Sequence, residues 1–193
     1  RLSLVFFSVF ALAVAIIYLY VVPPLENRLT AQKLSSLGNY AALYAESIFT
    51  VYNQGASPVY LDLLTQQYAE QAGARILIMD SSGNLVADSL KGQAFSREDY
   101  PVADSAISQR RLITESSKVA GRTYGMAAVP IGSGGSVAGV VIVTAPLDDV
   151  ESTVSLVQRQ LSIAAAVALS LSLAAIYLVS FTLGRRIRRI EQG

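Results

Sequence analysis

The sequence contains no cysteine and no histidine. Without cysteine there are no disulfide bonds, so any folded domain in this chain must be stabilised by its core alone. Without histidine, these residues hold no histidine-based metal site, no histidine-dependent catalytic triad and no phospho-accepting histidine. The sequence also shows no pair of carboxylates in an apolar pocket and no nucleophile with its base. It therefore predicts no catalytic site, no metal site and no cofactor in this fragment.

Charged side chains are absent from two long apolar stretches, residues 2–25 and 160–184. Each is longer than the roughly 20 residues that a helix needs to cross the hydrocarbon core of a membrane. We therefore predict transmembrane helices at residues 1–23 and 161–183. The segment between them, residues 24–160, has the size of a typical single domain.

A cluster of arginines follows the second apolar stretch, within residues 184–193. Basic residues beside a membrane span are retained on the cytoplasmic side. We therefore expect a multi-pass protein of a bacterial cell membrane, in contact with lipid, with residues 24–160 extracytoplasmic and both termini cytoplasmic. Because the chain begins with Arg1 rather than Met, we expect it to be part of a longer protein.

A long helix is predicted to continue from the first apolar stretch to about Asn53. Apolar residues recur at alternating steps of three and four from Leu34 to Val51, which places them on one helix face. Two interpretations of this face stay open. It packs on the sheet of its own domain, or it forms the seam of a dimer.

The remaining pattern predicts an α+β domain with a five-stranded antiparallel sheet. Pro58 suits the start of a second helix and Gly73 its end. Acidic residues from Asp148 onward suit the first turn of an exit helix that runs into the second span. The predicted strands form a hairpin within residues 75–88 and lie at 111–115, 123–131 and 137–145, with a short helix at 102–108.

Three segments of this domain, residues 78–89, 124–131 and 137–143, carry a resemblance to a known family. They resemble the extracytoplasmic Cache (PDC) domains, which are PAS-like sensor domains, of bacterial two-component sensor histidine kinases of the phosphate-regulon and cell-wall class. The resemblance implies a homodimeric receptor. It also implies that the complete protein has a dimerisation helix with a phospho-accepting histidine, a kinase domain using ATP and Mg²⁺, and a cognate response regulator in a phosphorelay.

The end of the chain, residues 183–191, resembles the opening helix of a HAMP linker. It departs from that pattern because Arg189-Ile190 stands where a proline is common. We predict that helix movement relays the signal through the exit helix into residues 184–193. The predicted relay residues are Leu156, Arg185, Arg186, Ile187 and Ile190.

Arginines and tyrosines near residues 89–111 are the candidate ligand-binding residues. In the resembled fold the pocket lies between the sheet and this segment, and arginine can bind a carboxylate or phosphate with two hydrogen bonds. The expected partner is a small anionic ligand or an envelope protein, and not a nucleic acid. The alternative is that the arginines lie on the surface and one tyrosine fills the core. The candidates are Arg97, Tyr100, Arg110, Arg111, Arg122 and Tyr124.

Two other local patterns favour structure over chemistry. The glycine-rich segment 132–136 lies between two predicted strands, without the helix start and lysine of a phosphate-binding loop. Glu98, Asp99 and Asp104 lack the spaced ligand loop that Ca²⁺ requires. We interpret the first as a hairpin turn and the second as a solvated surface.

The predicted function is transmembrane sensing as the input half of a sensor histidine kinase. Two alternatives stay open. The same front end serves chemotaxis transducers and diguanylate cyclases, and a membrane-anchored interaction module without enzymatic output has the same layout. The segment that follows residue 193 in the native gene would separate these classes of protein.

Overall fold

The computed structural model describes residues 2–90 and 96–188. They divide into two compact units. The first, which we call the sheet unit, comprises residues 28–150. The second, which we call the helical unit, comprises the described residues of 1–27 and 151–193.

The helical unit contains the start of helix α1 (Leu2–Asn53) and most of helix α4 (Asp148–Arg188). Both helices are unbroken, and α1 continues through two internal prolines. Among the described residues, one helix has the length and composition to cross a membrane, at Asp148–Leu171. The two predicted spans and the multi-pass topology stay predictions.

Five antiparallel strands form one sheet in the order β2-β1-β5-β4-β3, which confirms the predicted fold class. The strands are β1 (Arg75–Asp80), β2 (Leu85–Asp88), β3 (Ile113–Val119), β4 (Arg122–Ser133) and β5 (Ser136–Pro146). The last strand lies at the centre, because β5 pairs with both β1 and β4. The end of β5 therefore lies in the middle of the sheet, immediately before α4 begins.

Strand β3 begins two residues later than predicted and continues to Val119. Its middle residues are mostly exposed, because β3 is an edge strand that pairs with β4 alone. An exposed edge strand lacks the apolar alternation that marks a half-buried strand. The sequence pattern therefore located its first residues only.

The helices of the sheet unit lie where the sequence predicts them. Helix α2 (Pro58–Ala72) begins after Ser57, whose hydroxyl accepts a hydrogen bond from the Tyr60 backbone N–H. It ends at Gly73, whose φ of 60° lies in the left-handed region that glycine adopts at little steric cost. A short 3₁₀ helix (Arg97–Asp99) and helix α3 (Pro101–Gln109) follow β2.

The sheet separates two cores, because side chains alternate between its faces. On β1, Ile76 and Ile78 belong to the core beneath α1 and α2, which we call the α1 face. Leu77 and Met79 belong to the core beneath α3, which we call the α3 face. A strand buried on both faces produces the continuous apolar run seen in the sequence.

The apolar face of α1 packs inside the sheet unit. Leu37, Ala41, Tyr44 and Ile48 are at most 5% exposed and belong to the core of the α1 face. The ring of Tyr44 also stacks on Tyr68 of α2, with centroids 4.2 Å apart. Of the two interpretations of this stripe, packing on the domain's own sheet is therefore correct, and the dimer seam is wrong for these residues.

Candidate ligand pocket

A pocket of about 910 Å³ opens in the sheet unit, between the second half of α2 and the α3 face. Its wall also includes the start of β1, the segment after β2, the end of the 3₁₀ helix, the turn between β3 and β4, the start of β4 and the end of β5. Met126 and Thr144 form part of it. These two residues lie opposite each other on β4 and β5, so their side chains share one face of the sheet.

Arg75, which lines the pocket, forms a buried ion pair with Asp88. The Nε atom of Arg75 donates to Oδ1 of Asp88 at 3.0 Å, and Nη2 donates to Oδ2 at 2.5 Å. The side chains are 11% and 10% exposed. A bidentate pair of this kind fixes the plane of the guanidinium as well as its charge.

Tyr100 completes this wall. Nη1 of Arg75 donates to the Tyr100 hydroxyl at 3.1 Å. Burial raises the pKa of Tyr100 above its ordinary value, so the hydroxyl is neutral at physiological pH. The hydrogen bond to Asp88 likewise raises the pKa of Arg75, whose charge is therefore permanent. Because Nε, Nη1 and Nη2 all donate to protein oxygens, these bonds hold the Arg75 side chain in place as part of the pocket wall.

Thr144 lies between Arg75 of β1 and Met126 of β4 in the sheet register. Its residue is 4% exposed, yet its Oγ1 atom has no hydrogen-bond partner among residues 2–90 and 96–188. Buried polar side-chain atoms nearly always have a partner, so the unpaired Oγ1 of Thr144 is an exception at a residue that lines the pocket.

Glu70 of α2 and Asp99 of the 3₁₀ helix add negative charge to the pocket. Glu70 is exposed and Asp99 is partly exposed. Arg75 is the one basic residue among the described lining residues, and the carboxylate of Asp88 neutralises its charge. The described wall is therefore negative as a whole.

The structure brings together two of the six candidate ligand-binding residues. Tyr100 and Tyr124 line the pocket. Arg97 lies elsewhere and donates to the Ser82 carbonyl at 2.9 Å and to Asp104 at 2.5 Å. Its guanidinium covers Gly83, where a side chain would collide with it.

The other three candidate arginines also lie outside the pocket wall. Arg110 ends α3 in a left-handed conformation. Arg111 donates to the Gln109 side chain, and Arg122 forms an ion pair with Asp148 at 3.2 Å. Among the described residues, no group of three or more acidic side chains is arranged to hold a metal ion.

Sequence reasoning missed Arg75, Asp88 and Thr144. The signal for Thr144 was present, because it is a hydroxyl residue at an inward position of the apolar β5 run. The pairing of Arg75 with Asp88 had no comparable signal, since it depends on the register of β1 with β2.

The predicted relay residues belong to the helical unit. Leu156 is 58% exposed in α4. Positions 185, 186 and 187 are helical, because α4 continues to Arg188. Ile190 lies outside the described residues.

Comparison with known proteins places the chain by its fold alone. No protein-family model matches it, and no curated protein matches it. Among solved structures, the sensor domain of the Vibrio cholerae histidine kinase DctB matches with a TM-score of 0.55 and 14% identity, over 75% of this chain and 58% of that domain. The ligand-binding domain of the Campylobacter jejuni chemoreceptor Tlp3, in complex with L-valine, matches with a TM-score of 0.50 and 11% identity, over 73% and 66%.

These matches confirm the predicted sensor-domain fold. The two neighbours come from a histidine kinase and a chemoreceptor, so they share an architecture that precedes different outputs. The chain spans 58% of the first neighbour, and identities this low establish architecture without a ligand or an output.

Proposed function

We propose that this chain, which has the fold of extracytoplasmic Cache (PDC) sensor domains, is the ligand-sensing input half of a transmembrane receptor. The pocket between α2 and the α3 face carries this proposal. Its volume of about 910 Å³ is within the range of small-molecule sites, and its wall combines apolar side chains with a few fixed polar groups. The Tlp3 domain was solved with an amino acid, which supports a metabolite of similar size here.

The route from pocket to output follows β5 into α4. Thr144 and Pro146 line the pocket, and α4 begins two residues after Pro146. A ligand that favours one position of the β5 end therefore acts close to the first turn of α4. It shifts the receptor between two states only by its difference in affinity for them.

We assign the output to a histidine kinase, because the sequence resembles the sensor domains of that class. In this proposal the native protein is a homodimer in a bacterial cell membrane, with the sheet unit extracytoplasmic. Its kinase domain uses ATP and Mg²⁺ and phosphorylates a response regulator. The likeness to Tlp3 keeps a chemotaxis output as the second candidate, and the downstream domains of the native gene distinguish the two.

The test uses two adjacent positions of α2. Gln66 lines the pocket, and its neighbour Gln67 is exposed and is not part of the wall. The purified chain is screened by thermal shift against amino acids, amines and carboxylates. We expect at least one compound to raise the melting temperature of the wild type and of Gln67→Phe, and not of Gln66→Phe. A screen without any stabilising compound, together with normal signalling by full-length Gln66→Phe, would refute the sensor-pocket proposal.

A further inference from the structure

The charge of the pocket wall narrows the class of ligand. Among the described lining residues, Glu70 and Asp99 are acidic and Arg75 is basic. The guanidinium of Arg75 is neutralised at contact distance by Asp88. A ligand in the pocket therefore meets two carboxylates without a described cation left to balance them.

An anionic ligand fits this wall poorly. To bind a carboxylate or phosphate, Arg75 would have to exchange hydrogen bonds to Asp88 and Tyr100 for bonds to the ligand. Breaking one side of a buried ion pair leaves an uncompensated buried charge, which is strongly unfavourable. The four other candidate arginines lie outside the pocket wall, and two of them, Arg97 and Arg122, are paired with carboxylates there.

A second observation, independent of charge, locates where the ligand binds. Oγ1 of Thr144 is buried in the pocket wall and lacks a partner among the described residues. A hydroxyl can donate one hydrogen bond and accept others, so it suits a neutral hydroxyl, carbonyl or amide group. Met126 and Tyr124, on the same face of β4, supply apolar surface beside it.

We propose that the pocket binds a small organic cation, with an ammonium group facing Glu70 and Asp99 and a neutral hydrogen-bonding group at Thr144. This inference rests on the proposed sensor function and replaces the anionic ligand that the sequence predicts. The ammonium keeps part of its hydration beside the exposed Glu70, while the neutral end of the ligand forms a hydrogen bond with the buried hydroxyl. The apolar body of the ligand covers Met126.

Three compounds that share the carbon skeleton of valine test which ligand charge the pocket prefers. L-valinamide carries a positive charge, L-valine is a zwitterion, and N-acetyl-L-valine carries a negative charge, when the pH is slightly below neutral and the α-amino groups are protonated. Binding of each to the purified full chain is measured by calorimetry at two salt concentrations. We expect L-valinamide to bind tightest, about tenfold tighter than N-acetyl-L-valine, and its affinity to fall as salt rises.

Substitutions test whether Glu70 and Asp99 contact the ammonium group and whether Thr144 contacts the neutral group of the ligand. Glu70→Gln/Asp99→Asn should lower the affinity for L-valinamide about tenfold. A matched control, Glu46→Gln/Glu115→Gln, removes the same net charge at two exposed positions outside the wall and should leave the affinity unchanged. Thr144→Val should weaken binding of L-valinamide while the protein stays folded.

Any other result contradicts the inferred class of ligand and leaves the sensor function to be judged separately. If N-acetyl-L-valine binds as tightly as L-valinamide or tighter, and Gln66→Phe blocks this binding, the pocket binds ligands but does not prefer cations. Binding of L-valinamide that the Glu70/Asp99 variant leaves unchanged would place the cation elsewhere. If none of the three compounds binds and the amines of the wider metabolite screen do not bind either, the organic-cation class is rejected, and the remaining compounds of that screen decide the sensor function.

Discussion

The Nζ atom of Lys33 in α1 lies 2.9 Å from Oδ2 of Asp149 in the first turn of α4. Both residues belong to the sheet unit. The two side chains are 32% and 60% exposed, so the pair contributes at most about 1 kcal/mol to stability. A contact that is weak for stability and joins two helix segments suits a signalling equilibrium, in which small free-energy differences change populations.

We therefore predict that Lys33→Ala and Asp149→Ala change the unstimulated output of the full-length receptor with little change in the melting temperature. The reversed pair Lys33→Asp/Asp149→Lys should restore the output, because it re-forms the attraction across the same contact. The measurement is basal output in cells beside thermal unfolding of the purified variants. Basal output unchanged in both single variants would exclude a signalling role for this pair.

Unlike the exposed pair of Lys33 and Asp149, the buried pair of Arg75 and Asp88 should contribute strongly to stability. Asp88→Asn leaves the guanidinium of Arg75 buried without its counter-charge, so we expect a loss of about 3–5 kcal/mol in the free energy of unfolding. Replacing both partners, as in Arg75→Met/Asp88→Leu, should cost less than the single change. Denaturant unfolding followed by circular dichroism measures both.

The control for this prediction is the exposed pair of Arg97 and Asp104, whose side chains are 49% and 57% exposed. Asp104→Asn should cost less than about 1 kcal/mol. If Asp88→Asn and Asp104→Asn destabilise the protein equally, the buried pair is not a structural wall of the pocket.

Thr144→Val should stabilise the ligand-free protein by about 1 kcal/mol, because it removes a buried hydroxyl that lacks a partner and keeps the shape of the side chain. Thr65→Val is the matched control. Thr65 is 0% exposed, and its hydroxyl donates to the Asp62 carbonyl at 2.9 Å. The Thr65→Val substitution removes this hydrogen bond and should destabilise the protein. Thermal unfolding of the two variants should therefore shift in opposite directions, and a shift in the same direction would contradict the assignment of Thr144.

Asp80 should make stability depend on acidic pH. Its carboxylate accepts hydrogen bonds from the Asn84 side chain and from the backbone N–H groups of Ser82 and Asn84, which lower its pKa below the ordinary value of 3.8. A lowered folded pKa gives stability that is present above the unfolded pKa and is lost as pH falls through the folded pKa. The difference in stability between wild type and Asp80→Asn should thus be largest above about pH 4 and shrink on acidification. A difference that stays constant down to about pH 2 would contradict this account.

Local signals in the sequence predicted most of the fold. Pro58 and Gly73 mark the ends of α2, because each acts through its own backbone geometry. The apolar run that begins at Ile76 predicts a strand buried on both faces, since burial alone determines that pattern. The edge strand β3 was misplaced because its residues meet solvent, where polar side chains carry no periodic signal.

The pocket depended on long-range register and could be predicted only in part. Tyr100 and Tyr124 were expected near it because the resembled fold places the pocket between the sheet and the segment 89–111. Arg75 is the basic residue of the described pocket wall because strand pairing sets it opposite Thr144 and within reach of Asp88. The four candidate arginines lie outside that wall. No spacing in the sequence contains that information, since it arises from contacts between separate elements.

The last prediction concerns the relay through α4. This helix runs unbroken from Asp148 to Arg188, so a rotation or shift of its first turn can be transmitted along its length. A glycine-rich insertion near Leu156 should uncouple ligand from output in the full-length receptor, because glycine removes the stiffness of the helix. An alanine-rich insertion of two helical turns keeps both the helix and its phase, and should preserve the response. Ligand-dependent output is measured for both insertions, with membrane level as the expression control. If the glycine-rich variant still responds, a continuous helix is not the route, and the signal must pass between subunits or through α1.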